Sequence, residues 1–256
     1  MLLIIGLGLD TKEISVKALE ALKAADLIYA EQYTTFLPDG YLDYLGEVTG
    51  KSIAPLTRSQ LEEGAQSTVA PAKSGTMAIL VPGDPLIATT HYATIIYAAR
   101  KQDISVKVYH SSSIYSAAIG ESGLDVYRFG TTVTIPYWHE KYHPVSFLDS
   151  IQKNLAGNNH SLVLLDLNQT QRRPMHLEEA ISILKDAEKN RAGGLVSDSM
   201  RILVMGNVAR PTQAIAYVSI ANVQSIYGMF KGKTISIIVP SNPTVAEREA
   251  LAQFEA

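Results

Sequence analysis

The feature that most restricts the fold is an alternation. Short β-rich apolar runs at residues 2–8, 27–30, 77–82, 105–109, 131–135, 161–166, 201–206 and 234–239 are separated by stretches with helical spacing. Strands recurring between helical patterns specify α/β layers, and runs apolar on both faces specify mostly parallel strands covered by helices. Between the first two runs, Ala18, Leu19, Leu22 and Ala25 keep one helical face, and Ser15 is placed to cap that helix. Thr244 precedes Glu247 by three residues, the spacing of a capping box, while Leu177, Ala180, Ile181 and Leu184 mark another apolar face. The segment 111–130 is rich in Ser and Gly, so a domain boundary is expected near residue 112, giving 1–112 and 113–256. With 46% hydrophobic residues in 256, each part can bury a core of its own.

Composition removes several function classes. A net charge of -3, with no Lys/Arg cluster in any window, offers nothing to nucleic acid or an anionic membrane. The absence of cysteine excludes disulfides, thiolate metal sites and a cysteine nucleophile, and fits a reducing cytoplasm. The opening LLIIGLGL has no basic flank and is stopped by Asp10, so it reads as a buried first strand. No apolar run approaches the length of about 18 residues that a membrane span needs, and a soluble protein is expected.

Three loops could carry chemistry. The first strand ends in Gly6, Leu7, Gly8, Leu9, where glycine permits either close approach of a ligand or a tight turn. The third glycine of the dinucleotide fingerprint is missing, which argues against an NAD site. VPGDPLIATTH (81–91) runs from a buried strand into a turn and then a helix that Thr89 or Thr90 could cap. Asp84 there could meet a ligand hydroxyl or ammonium, or could satisfy local amides in an Asx turn. Ser113 opens a short helix after the run at 105–109, where free amides suit an anion and ordinary capping would explain the serine equally well. The aromatic loop 136–144 is expected as a surface excursion. None of the six histidines has metal-ligand spacing; His91 lies nearest the possible chemistry. Tyr33 and Tyr115 could shape a pocket for an amine, or pack in the core. Arg172 and Arg173 could pair with a substrate carboxylate, or be solvated.

The strings GLGL, AEQYT (30–34), PGDPLIATTH, SIYSA (113–117), GLDVYRFG (123–130) and LLDL (164–167) stand in an order and spacing that resembles the diphthine synthases. The resemblance covers nearly the whole chain, and its glycine-aspartate-proline turn is shared with the wider tetrapyrrole-methylase class. Ser112 stands where the family has proline, and MGNVARPT (205–212) is shorter than its counterparts. The resemblance implies two α/β domains with mostly parallel sheets, tetrapyrrole-methylase-like, with S-adenosyl-methionine in the interdomain cleft. It implies cofactor contacts at Leu9, Asp84, Ile87, Ser113, Ile114, Leu165, Val208 and Ile235. It further implies a cytoplasmic homodimer that methylates the aminocarboxypropyl-modified histidine of translation elongation factor 2 and leaves S-adenosyl-homocysteine. Neither a metal nor a covalent nucleophile is needed for such a displacement, which depends on alignment. The competing readings are a tetrapyrrole or corrin methyltransferase and a non-catalytic binding module of the same fold.

Overall fold

The computed structural model describes residues 1–168, 171 and 173–256. They form two compact units, Met1–Tyr115 and Ser116–Ala256. Each of the eight apolar runs contains a strand.

The first unit is built on β1 (Leu2–Gly6), β2 (Leu27–Glu31), β3 (Ile53–Leu56), β4 (Met77–Val81) and β5 (Val106–Tyr109). They form one sheet in the order β3-β2-β4-β1-β5, and every pairing is parallel. Because side chains alternate along a strand, β1 and β4 split their residues between two cores. Leu2, Ile4, Met77, Ile79 and Val81 enter one, with Leu61, Val69, Ile95 and Ile96. Leu3, Ile5, Ala78 and Leu80 enter the other, with Ala18, Leu22, Tyr41 and Leu45. Ser15 caps the helix Val16–Ala24 by accepting from the Ala18 amide, as its position predicts.

The connection from β1 crosses to β2 in one direction along the sheet, and that from β4 crosses to β5 in the other. Parallel crossovers are right-handed, so oppositely directed ones cover opposite faces. The helical segments that follow β1 and β4 therefore cover opposite faces, Ala18 and Leu22 in one core and Ile95 and Ile96 in the other. At such a switch point the carboxyl ends of adjacent strands are left accessible.

The second unit holds β6 (Val133–Ile135), β7 (Ser161–Leu165), a two-residue pair β8 (Leu167–Asn168) and β9 (Arg173–Pro174), then β10 (Arg201–Gly206), β11 (Ala214–Ser219) and β12 (Ile235–Val239). Its main sheet runs β11-β10-β12-β7-β6. Only β6 and β7 pair parallel, the other three contacts being antiparallel. This sheet is mixed where the first is parallel, because the short link 207–213 returns the chain beside β10 and antiparallel to it. The helices Ser146–Ala156 and Leu177–Arg191 bury Phe147, Leu148, Ile151, Leu177, Ala180, Ile181 and Leu184 in the core of this unit.

A buried carboxylate organises the far end of the second unit. Glu247, 3% exposed, accepts from the Thr244 amide at 2.7 Å in the capping box of the helix Val245–Ala252. It also accepts from the Asp125 amide at 3.1 Å, from His160 Nε2 at 2.9 Å and from the Arg128 guanidinium.

Candidate active site

Strand order alone makes β4, β1 and β5 neighbours, so their carboxyl-terminal loops must meet. Gly8 and Gly83 exchange backbone hydrogen bonds, Gly83 N donating to Gly8 O at 2.8 Å and Gly8 N to Gly83 O at 3.2 Å. Both have left-handed backbones, with φ of 76° and 70°, which favours glycine. Glu13 joins the first loop to the third, its Oε2 accepting from the Leu9 amide at 2.7 Å and from the Ser112 hydroxyl. The serine found in place of the family's proline thus makes a side-chain link between two loops. A fourth loop, after β2, is closed by Glu31, a fully buried carboxylate. Glu31 accepts from the amides of Tyr33 and Thr34 and from the Thr34 hydroxyl.

Asp84 takes the second of its two possible roles, the local turn, and adds a link to the loop after β5. Oδ1 accepts from the Leu86 amide at 2.9 Å, closing the Asx turn, and Oδ2 accepts from His110 Nδ1 at 2.8 Å and the Ser111 amide at 3.2 Å. A carboxylate has about four acceptor positions, so three bonds leave one, on Oδ1, for a ligand. Asp84→Asn places N–H donors against donors already present there. The expected result is stable protein with cofactor affinity reduced roughly 10- to 100-fold, measured by titration calorimetry, from about 1–3 kcal/mol of lost or mispaired bonding.

Of the eight positions implied by resemblance, Leu9, Asp84, Ile87, Ser113 and Ile114 lie in the first unit, on the loops after β1, β4 and β5. Ile87 is 44% exposed, whereas Asp84 and Ser113 are buried. A Cβ added to Gly83 would make ordinary contact with Ser112 O at 3.8 Å and Leu9 Cδ2 at 4.0 Å, so there is room for a methyl at this position. In the second unit, Leu165 ends β7, Val208 follows β10 and Ile235 opens β12, opposite Gly206. The antiparallel register puts all three at one edge of that sheet, Ile235 at the amino end of its strand rather than the carboxyl end. Val208 and Ile235 are buried, each 4% exposed. Trp138 follows β6 at this same edge, where Ile135 pairs with Leu165, and its ring centroid lies 4.7 Å from that of His143.

Other candidates have structural roles. His91 is buried in the first unit with Nδ1 donating to Pro85 O at 3.0 Å, so it supports the turn from below instead of meeting substrate at an entrance. Its ring lies edge-on to Tyr33, which is partly buried against the same core, while Tyr115 is 40% exposed. Neither threonine caps the following helix: Thr89 Oγ1 donates to Pro85 O and Thr90 Oγ1 to Glu62. Arg173 forms a two-pronged bond with Glu179 at 2.6 and 2.7 Å and donates to the Tyr137 hydroxyl, so its fork is committed. That bonding, led by Arg173, holds the Glu179 carboxyl at about 2, and burial together with Glu179 pushes Tyr137 up to about 12. Arg172 lies outside the described residues. His110 and the loop glutamates Glu13 and Glu31 hold these loops by hydrogen bonds and were left aside by sequence reasoning. Among the described residues no three His, Asp or Glu side chains gather as a metal site would, and no helix is long and apolar enough to cross a membrane.

The family model described as tetrapyrrole (corrin/porphyrin) methylases matches residues 1–223. The chain belongs to that methyltransferase family and, within it, to the diphthine synthases. It is 40% identical over 206 residues to the diphthine synthase of Methanothermobacter thermautotrophicus, covering 80% of this chain and 77% of that one. It is 34% identical over 256 residues to that of Methanocorpusculum labreanum, covering 99% and 98%. A crystal structure of diphthine synthase superposes with a TM-score of 0.88 at 30% identity, covering 99% of this chain and 95% of that one.

Proposed function

We propose that this methyltransferase uses S-adenosyl-methionine to methylate the amine of the aminocarboxypropyl-modified histidine of translation elongation factor 2. The observation that carries the reading is the joining of the loops after β1, β4 and β5 by the Gly8–Gly83 exchange, Asp84 and Glu13. The residues present fit the cofactor. The remaining Asp84 acceptor suits a hydroxyl or ammonium, and Leu9 and Ile87 offer apolar contact. Ser113 and Ile114 complete this set, and Leu165, Val208 and Ile235 supply the contacts of the second unit.

When bound, the cofactor supplies a methyl group on a sulfonium, so the chain itself need supply no covalent nucleophile. What the loops contribute is placement, and holding reacting groups in line can provide as much as about 7–11 kcal/mol of a barrier. Rigid hydrogen-bonded loops reduce the entropy lost in reaching that geometry.

Calorimetry with S-adenosyl-methionine should give a saturable heat. Methyl-labelled cofactor should then label modified elongation factor 2 and leave a precorrin-type acceptor unlabelled. A flat titration, or label on the precorrin alone, refutes the reading. The enzyme is taken to act in the cytoplasm as a homodimer, as the resemblance implies, and sedimentation of the purified protein measures the second point.

A further inference from the structure

A polar chain borders the β4 loop on the side away from β1. Arg58, two residues past the carboxyl end of β3, is 69% exposed and donates through Nε to Glu62 Oε2 at 3.0 Å. Glu62 Oε1 accepts from Thr90 Oγ1 at 3.3 Å, and Thr90 lies three residues beyond Ile87 on the β4 loop. All strands of this sheet are parallel, so β3, β2 and β4 end at one edge, and two strand spacings separate β3 from β4, about 10 Å. Among the described residues, the two terminal guanidinium nitrogens of Arg58 bond to nothing, while Nε is fixed by Glu62. An arginine oriented through Nε presents its remaining planar fork to a carboxylate, the geometry that binds such a group through two parallel bonds.

We propose that Arg58 is a specificity-determining residue that binds the carboxylate of the acceptor's amino-acid group, with Glu62 as the positioning residue that aims it. The inference rests on the methyltransferase reading above and adds a direction to it. Acceptor occupies the β2 and β3 side of the β4 loop, and cofactor the β1 and β5 side. An amine and carboxylate attached to the same carbon are then sorted, the carboxylate held outward by Arg58 and the amine left toward the cofactor loops.

The test uses the full chain with modified elongation factor 2, measuring KM for that acceptor and, separately, Kd for S-adenosyl-homocysteine by calorimetry. Arg58→Lys and Arg58→Gln should each raise the acceptor KM about 10- to 100-fold, the loss expected for a charge-assisted pair, and change Kd by less than about twofold. Lys185→Gln, an exposed cation in the second unit, should change neither. An acceptor KM within about twofold of the parent in both Arg58 variants overturns the proposal. So does a parallel rise in Kd, which would make Arg58 a support of the cofactor loops. Wild-type protein that binds no S-adenosyl-homocysteine defeats the underlying reading instead, before any variant is compared.

Discussion

Gly6→Ala is expected to abolish measurable cofactor binding while leaving the second unit folded. A Cβ at this position would lie 2.7 Å from Gly83 O, 2.9 Å from Pro85 Cδ and 3.0 Å from Ser111 Cβ. None of these atoms can yield alone. Gly83 O is held by the Gly8 amide, Pro85 is a fixed ring, and the Ser111 backbone is bonded to Asp84. The added methyl must therefore force the loops after β4 and β5 away from β1, at a cost of about 1–3 kcal/mol in stability. Because the implied contacts sit on those loops, affinity for S-adenosyl-homocysteine should fall at least about 100-fold. Gly83→Ala is the informative comparison. It meets no close neighbour, so only the left-handed backbone opposes it, costing about 1–2 kcal/mol. Calorimetry and a thermal melt on both variants check the order; unaltered binding by Gly6→Ala would remove these loops from the site.

Glu247→Ala is expected to destabilise the second unit by about 3–5 kcal/mol, the loss typical when one partner of a buried ion pair is removed. It would strand Arg128, His160 and two amides that now share one carboxylate. Acid should act in the same direction. Burial works to raise the Glu247 pKa, but the bonds from Thr244, Asp125 and His160 outweigh it and hold the carboxyl at about 2. His160 Nδ1 accepts from the Ser241 amide at 2.9 Å, so Nε2 carries the hydrogen given to Glu247 and the ring is neutral. Burial, the largest influence, lowers its pKa further below the ordinary 6.5. Both folded values are depressed, so both contributions are complete above the unfolded values. The histidine contribution fades as pH falls below about 6.5, and the glutamate contribution fades between about 4.5 and 2. Melting midpoints measured from pH 7 to 2 should fall steadily in the parent. Below about pH 4.5 the fall should be shallower in Glu247→Ala, which has lost the carboxyl that titrates there; an equal slope in that range would show that this carboxylate does not control acid stability.

The strands were legible because buried parallel strands are apolar on both faces, as in LLIIG and MAILV. Those missed have identifiable reasons. β3 is an edge strand carrying Pro55, and β11, also at an edge, interleaves alanines with larger residues in AIAYVS and so lacks a continuous large-apolar run. Strand direction in the second unit could not be read from hydrophobicity, which is indifferent to whether a neighbour runs up or down. The loops bearing Leu9, Asp84 and Ser113 were readable from their glycines and turn residues. Glu13 and His110 were not, since each acts on a loop distant in sequence and neither belongs to a local pattern. His91, which its place in the sequence sets nearest the turn, is buried and bonded to Pro85 O, the structural role that a histidine more often has.

Trp138 is the only tryptophan in the chain, and it stands at the edge of the second sheet where β6 and β7 end. Its emission therefore reports on one unit alone, and tyrosine must report on the other. A denaturant titration followed at two wavelengths could separate the loss of each half without any added label. The same indole would respond to a nucleoside settling against Leu165, turning an optical readout into a direct assay for occupancy of the second unit.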